Sequence, residues 1–228
     1  MSVSISKILQ VLDNPEALQN WRERVGHAEA ERISKRSSTI GTAMHKFLEH
    51  WIGDDKDCVD LTEEGILGRK MAQQVYDHAI KHKLEDCWHM ESKLKFGDHY
   101  HGRLDLAGIY YHQPVVIDFK QSNKPKRKEW CWKYMCQLAA YVLAHNSTFP
   151  NRPKIKKGIV LMCSQNLHLQ KFELEGQELI KAWNHFKSAI RFCKDNDIYE
   201  IVSSWKKFEM NKYFRFSIEC IEDFKKDI

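Results

Sequence analysis

No stretch of the 228 residues is apolar for long enough to cross a bilayer, and the N-terminus has no basic segment followed by a signal-type core. A soluble, intracellular, cytoplasmic protein is expected. CxxC pairs and Cys/His zinc spacing are missing among the seven cysteines. An odd number of thiols without such spacing excludes a disulfide framework and fits a reducing compartment, with most thiols packed as small hydrophobes. Repeats, low-complexity tracts and a clear linker are also lacking. The chain therefore reads as a single domain over 1–228, with a mainly helical section (1–86), a core (87–195) and an extension (196–228) in which nothing points to chemistry.

What is present is enough apolar residue, 43%, for a sizeable core, and α/β is the expected class. Lysine and arginine (36) exceed aspartate and glutamate (31). The resulting pI near 8.7 favours an anionic partner without requiring one.

The most informative stretch is His101–Ser122, HGRLDLAGIYYHQPVVIDFKQS. Val115, Ile117 and Phe119 alternate with Val116, Asp118 and Lys120, a period of two that places Asp118 and Lys120 on one strand face. In the preceding run Leu104, Leu106 and Tyr110 fall on one side and Arg103, Asp105 and Ala107 on the other. His112, Gln113 and Pro114 read as a short turn, so the two runs pair as an antiparallel hairpin. If the polar faces coincide, Asp105, Asp118 and Lys120 converge.

Elsewhere, Ile5, Ile8, Leu9 and Leu12 have helical spacing, and Asn14-Pro15 restarts a helix carrying Leu18, Trp21, Arg22 and Val25. Arg32, Lys35 and Arg36 form either a solvated basic face or a phosphate contact. In Ile40–Ile52 a core stripe of Met44, Phe47, Leu48 and Trp51 runs beside His45 and Glu49, spaced i, i+4. His45 is a structural histidine or a ligand according to what it faces. A turn with Gly53, Asp54 and Asp55 precedes a helix over Ile66–Lys83. Cys87–Gly97 reads as a strand with Trp88, Met90, Leu94 and Phe96 on one side and His89, Glu91, Lys93 and Lys95 on the other. The basic loop Lys124–Lys128 reads as a mobile, phosphate-attracting connection. The helix Glu129–His145 has a core stripe (Met135, Leu138, Ala139, Val142) and a narrower one of Trp130, Tyr134, Gln137 and Tyr141, suited either to a groove wall or to a wide amphipathic face. Gly158–Ser164 and His168–Leu174 read as neighbouring strands, and Gln177–Lys194 as an amphipathic helix.

The order G-T-x-x-H (Gly41, Thr42, His45), a strand glutamate (Glu91), G-R-x-D (Gly102, Arg103, Asp105), D-x-K (Asp118, Lys120) and Q-x-x-x-Y (Gln137, Tyr141) resembles the PD-(D/E)XK nuclease superfamily. Within it the chain is similar to the RecB-type branch and the mitochondrial genome maintenance exonucleases, including stand-alone phage and bacterial versions. The resemblance covers about 41–141, with 21–26 similar to the segment that often precedes it. It implies a central mixed β-sheet flanked by helices, a restriction-endonuclease-like core, with an N-terminal helical section over the active site. It further implies a metal-dependent DNA exonuclease preferring single strands with a free end. The alternatives are a structure- or sequence-selective endonuclease of the superfamily and a catalytically inactive nucleic-acid-binding module.

In that likeness Asp105 and Asp118 would hold one or two Mg2+ (or Mn2+) ions, helped by the backbone carbonyl of Phe119 and by His45, with Glu91 as an auxiliary ligand or water-orienting group. Lys120 would position the attacking water or stabilise charge in the transition state. Gln137 and Tyr141 would hold Lys120 and a phosphate. Arg103, Ser122, Lys93, Lys95 and the loop residues Lys124, Lys126 and Arg127 would track the DNA backbone, while Trp130, Trp132 or Tyr134 could stack bases. The cysteine spacing departs from the iron-sulphur members, and no cluster is expected. DNA is the expected partner, with replication or recombination proteins as further candidates and no membrane.

Overall fold

The computed structural model describes residues 2–53 and 58–195. Asp54 and Asp55 of the expected turn, and the extension 196–228, lie outside the described residues. In chain order the elements are β1 (Val3–Ser4), α1 (Ile5–Gln10), α2 (Pro15–Val25), α3 (His27–Ile52), α4 (Glu63–Val75) running into a π-turn (Tyr76–Ile80), β2 (Leu84–Phe96), β3 (Tyr100–Tyr110), β4 (Gln113–Ser122), a 3-10 turn (Lys128–Cys131) leading into α5 (Trp132–Thr148), β5 (Lys157–Ser164), β6 (Leu169–Glu175) and α6 (Gly176–Asp195).

α1, α2 and α4 start where a side chain supplies the cap. Asn14 Oδ1 accepts from Ala17 N–H at 3.0 Å with Pro15 at the first helical position, and Thr62 Oγ1 accepts from Gly65 N–H at 3.0 Å. The serine- and threonine-containing stretch before Ile40 is helical too, so α3 spans 26 residues from His27. Ser34, Thr39 and Thr42 turn their hydroxyls back onto the carbonyls four residues earlier, at 2.8, 3.1 and 3.0 Å, so they do not compete with the helix. α3 packs closely on α4 at Gly68, where a Cβ would stand 2.7 Å from Ala43 Cβ.

The six strands form one mixed sheet. β3 pairs antiparallel with β2 on one edge and with β4 on the other, where the short β1 also lies parallel to its start; β4 and β5 are parallel, and β5 and β6 antiparallel. Helices cover both faces. α1, α5 and α6 bury one cluster with Val116, Val160 and Met162; α3 and α4 bury the other with Ile117, Ile159 and Leu161. The expected α/β architecture, a mixed sheet flanked by helices, is the one found.

Two details differ from the strict alternation of the sequence. The hairpin turn is Tyr111-His112, both at positive φ (46° and 61°), with Tyr110 paired to Gln113 and Pro114 inside the strand. Glu85 holds that turn by accepting from His112 N–H at 2.9 Å. The second is a change of face: Leu104 joins the α5 side whereas Leu106 and Tyr110 join the α3 side, and likewise Leu94 and Phe96 part from Met90. The switch falls at the facing pair Glu91 and Asp105, with Glu91 at φ 46°. Two register shifts, between Leu84 and Asp86 and between Cys87 and His89, mark bulges in β2. On the outer edge of β2, Thr148 Oγ1 accepts from Lys95 N–H at 3.1 Å and donates to Lys95 C=O at 3.0 Å.

Candidate metal and nucleic-acid site

β3 and β4 pair from Tyr110–Gln113 to Leu106–Ile117 and then diverge. Asp105 and Asp118 are the next residues on either side, at the mouth of this fork. The ladder ends, but its next donor is not abandoned: Phe119 N–H donates to Asp105 Oδ2 at 2.7 Å. From α3, His45 Nε2 lies 2.9 Å from Phe119 C=O and is assigned as the donor, which turns Nδ1 toward Asp105 Oδ2 (3.7 Å) and Glu91 Oε1 (3.9 Å). Glu49, one turn further on, is exposed, so the pair that matters to His45 is not the i, i+4 neighbour. Arg103 reaches the other oxygen of Glu91 at 3.5 Å.

His45, Glu91 and Asp105 thus offer one nitrogen and two carboxylate oxygens all within 4.8 Å of one another, a group that could hold a metal ion. Asp118 is fully buried, and Lys120 Nζ approaches its Oδ2 at 2.6 Å, yet among the described residues neither Asp118 oxygen has a well-directed hydrogen bond. A buried carboxylate with unfilled acceptor capacity beside this group fits a hard divalent cation that takes oxygen ligands.

The electrostatics agree. Burial and the neighbouring Asp118 push Asp105 up to about 6, against the pull of His45, Lys120 and the Phe119 N–H. Burial opposes the charge on His45, but its contact with Glu91 and the Asp105 charge outweigh that and raise it. Lys120 is likewise raised: burial acts downward, and the charges of Asp118 and Asp105 win. Without a cation, the carboxylates lean on a histidine and a lysine for compensation.

α5 closes the site. Gln137 Nε2 donates to Tyr141 Oη at 2.9 Å, and the Tyr141 ring packs beside Gly102, where a Cβ would stand 3.2 Å away. Burial and the nearby Asp118 and Asp105 push the Tyr141 hydroxyl far above its usual range. Tyr134 faces Lys120, whose Nζ is 5.4 Å from the ring centre.

The basic residues sort into distinct roles. Lys124 is exposed, while the buried Ser122 donates its hydroxyl to Lys124 C=O at 2.7 Å. Lys126 Nζ donates to Tyr134 Oη at 3.0 Å. Arg127 lies over Trp130, which is 66% exposed. Lys128 pairs with Glu178 at 2.8 Å, Lys95 with Asp98 at 3.1 Å, and Arg36 with Glu64 at 3.4 Å. Trp132 donates to His185 at 2.6 Å and packs against the core, which leaves Trp130 as the exposed ring of the three candidates.

Residues that sequence patterning did not single out hold this frame. Asn123 Oδ1 accepts from Ser37, Gln121 and Gln165 at 2.9, 3.3 and 2.7 Å, tying α3 to the ends of β4 and β5. Gln170 on β6 accepts from Lys126 N–H (2.8 Å) and donates to Lys126 C=O (2.9 Å), so the basic loop is pinned rather than mobile at that residue. No motif marks either amide, because each acts on backbone or side chains far away in sequence.

No family model matches the chain, and no curated protein sequence matches it. Among solved structures, a crystal structure of SSO0001 is similar with a TM-score of 0.44 and 11% identity, over 90% of this chain and 79% of that one. A Eubacterium rectale protein named "Putative exonuclease" is similar with a TM-score of 0.44 and 8% identity, over 78% of this chain and 80% of that one.

Proposed function

We propose that the protein is a divalent-metal-dependent DNA nuclease of the PD-(D/E)XK, RecB-like kind, acting as an exonuclease on single strands with a free end. The observation that carries this reading is the fork: Asp105 and Asp118 face each other where β3 and β4 part, with His45 and Glu91 beside Asp105 and Lys120 against Asp118. Hydrolysis of a phosphodiester must deprotonate a water and stabilise a leaving alkoxide beside an anionic phosphate. A bound Mg2+ or Mn2+ would supply the Lewis acidity and lower the pKa of the water.

The chain's own groups would do the rest. Asp105, Asp118, Glu91 and His45, through Nδ1, would hold the cation, with the Phe119 carbonyl, which accepts from His45 Nε2–H, as a further oxygen through its second lone pair. Lys120, kept charged by the two aspartates, would orient the attacking water and face the charge developing on phosphorus. Gln137 and Tyr141 would act as a coupled pair that fixes the α5 wall. Arg103, Lys124 and the Arg127–Trp130 stack would guide the strand, the exposed indole offering a base platform.

The test is digestion of linear and circular, single- and double-stranded DNA, labelled at each end, with Mg2+ or with EDTA. Mg2+-dependent loss of linear single strands, with closed circles spared, is the expected result. Cleavage of circles would instead identify an endonuclease. Binding without any cleavage would leave a nucleic-acid-binding module.

A further inference from the structure

Tyr134 gathers two lysines from different segments around one ring. Lys120 of β4 stands 5.4 Å from the ring centre and Lys126 of the basic loop 5.0 Å, and Lys126 also donates to the phenol oxygen at 3.0 Å. Two ammonium groups sharing one aromatic ring repel each other, and the cost is met unequally. Lys120 has Asp118 at 2.6 Å; among the described residues no carboxylate pairs with Lys126. Nor does Lys126 reach this place by chance of a loose chain, since the Gln170 amide fixes its backbone N–H and C=O together. Of the neighbouring loop cations, Lys128 is held by Glu178 and Arg127 lies over Trp130, while Lys124 is exposed. The result is a half-buried ammonium that shares the Tyr134 ring with Lys120 and, among the described residues, lacks a counter-anion, which is the electrostatic form of an oxyanion site.

We propose that Lys126, aimed by Tyr134 and Gln170, binds the backbone phosphate adjacent to the phosphate at the Asp118–Lys120 centre. The proposal rests on the nuclease reading of that centre. It makes Tyr134 a positioning residue rather than a base-stacking platform, because its face and its hydroxyl are both engaged. The ligand it adds is a second phosphate of the same strand, so the site senses two consecutive linkages.

The test is a chemical double-mutant cycle on binding, run in EDTA with fluorescein-labelled single strands in which one linkage at a time is an uncharged methylphosphonate. In the wild-type protein one such linkage should weaken binding by about five- to tenfold. With Lys126→Met the same linkage should matter less than about twofold, because the charge it removed had no partner left. Tyr134→Phe, which keeps the ring and loses the acceptor, should diminish the same coupling. The phosphate at the Lys120 centre is located from the linkage cut in Mg2+. If no linkage is cut, the nuclease reading fails, and the centre is located instead by the linkage whose effect Lys120→Gln abolishes. Independent, multiplying penalties from Lys126→Met and from every methylphosphonate position would overturn the proposal, as would coupling at a linkage not adjacent to the centre.

Discussion

Asp105, one residue past the last β3 position paired with β4, accepts at 2.7 Å the backbone N–H of Phe119, two residues past the last β4 position paired with β3. A side chain thus continues a ladder that the backbone has left, and in doing so it fixes a carboxylate beside Asp118. The hydrogen bond is favourable; the charge it carries into a buried place is not.

Removing that charge should stabilise the metal-free protein. Asp105 is raised to about 6 from an ordinary 3.8, so between those values the folded protein binds more protons than the unfolded chain. Its contribution to stability is therefore lost as pH rises through about 6. Asp105→Asn, which keeps an acceptor for Phe119, should unfold at higher urea than wild type at pH 8 without metal, by roughly 1 to 3 kcal/mol. The advantage should shrink as pH falls through 6 toward 4, and Mg2+ should stabilise wild type but not the variant. Lower stability of the variant at pH 8 in EDTA would contradict the account.

Lys120 is the mirror of this case. With Asp118 fully buried, Lys120→Met leaves a carboxylate with neither a cation nor a directed hydrogen bond. The expected cost is about 3 to 5 kcal/mol in EDTA. Asp118→Asn/Lys120→Met should recover much of it, whereas nuclease activity should vanish in Lys120→Met, in Asp118→Ala and in the double variant alike. Equal stability of Lys120→Met and wild type in thermal melts would remove the pairing from the account.

Away from the site, His145 is fully buried, and among the described residues neither ring nitrogen has a well-directed hydrogen bond; it packs among Trp88, His89 and Phe149. Burial, with His89 and Arg152 nearby, pushes it down to about 4 from 6.5. The unfolded chain then binds the extra proton first, so this residue's contribution is present above pH 6.5 and is lost as pH falls toward 4. His145→Phe should gain on wild type through that window by about 2 to 3 kcal/mol, as read by denaturant midpoints at pH 7.5 and pH 4.5.

Gly68 offers a test at a distance. A Cβ there would meet Ala43 Cβ at 2.7 Å and Ile40 C=O at 3.0 Å, so Gly68→Ala must push α3 from α4. Overpacking of this kind costs about 1 to 3 kcal/mol. Because His45 follows Ala43 by half a turn, the variant should also bind Mn2+ more weakly by calorimetry, while Gly41→Ala, whose Cβ would meet only Gln121 at 3.7 Å, should not shift α3.

Much of this was legible in the residues themselves. The hairpin, the shared face of Asp118 and Lys120 and the position of His45 beside a core stripe all follow from periodicity, and the structure brings His45, Glu91 and Asp105 together as the motif order suggested. The change of face at Glu91 and Asp105 was not legible, since a period of two carries no sign of where it resets; a glutamate at positive φ leaves no mark in composition. Nor could the charge run 124–128 disclose that one lysine serves a tyrosine, one pairs with Glu178 and Arg127 lies over an indole. Two of the anchors, Gln170 of β6 for the Lys126 backbone and Glu178 of α6 for Lys128, lie 44 and 50 residues away.

β2 is 13 residues long and forms the margin of the sheet, the kind of strand that invites a second molecule to add itself. Its two bulges break the regular spacing of outward-facing groups, and Thr148 occupies both polar atoms of Lys95. Concentrated protein should therefore resist polymerising through this border, and Thr148→Val, which exposes the Lys95 amide and carbonyl, is the change that would make it adhesive.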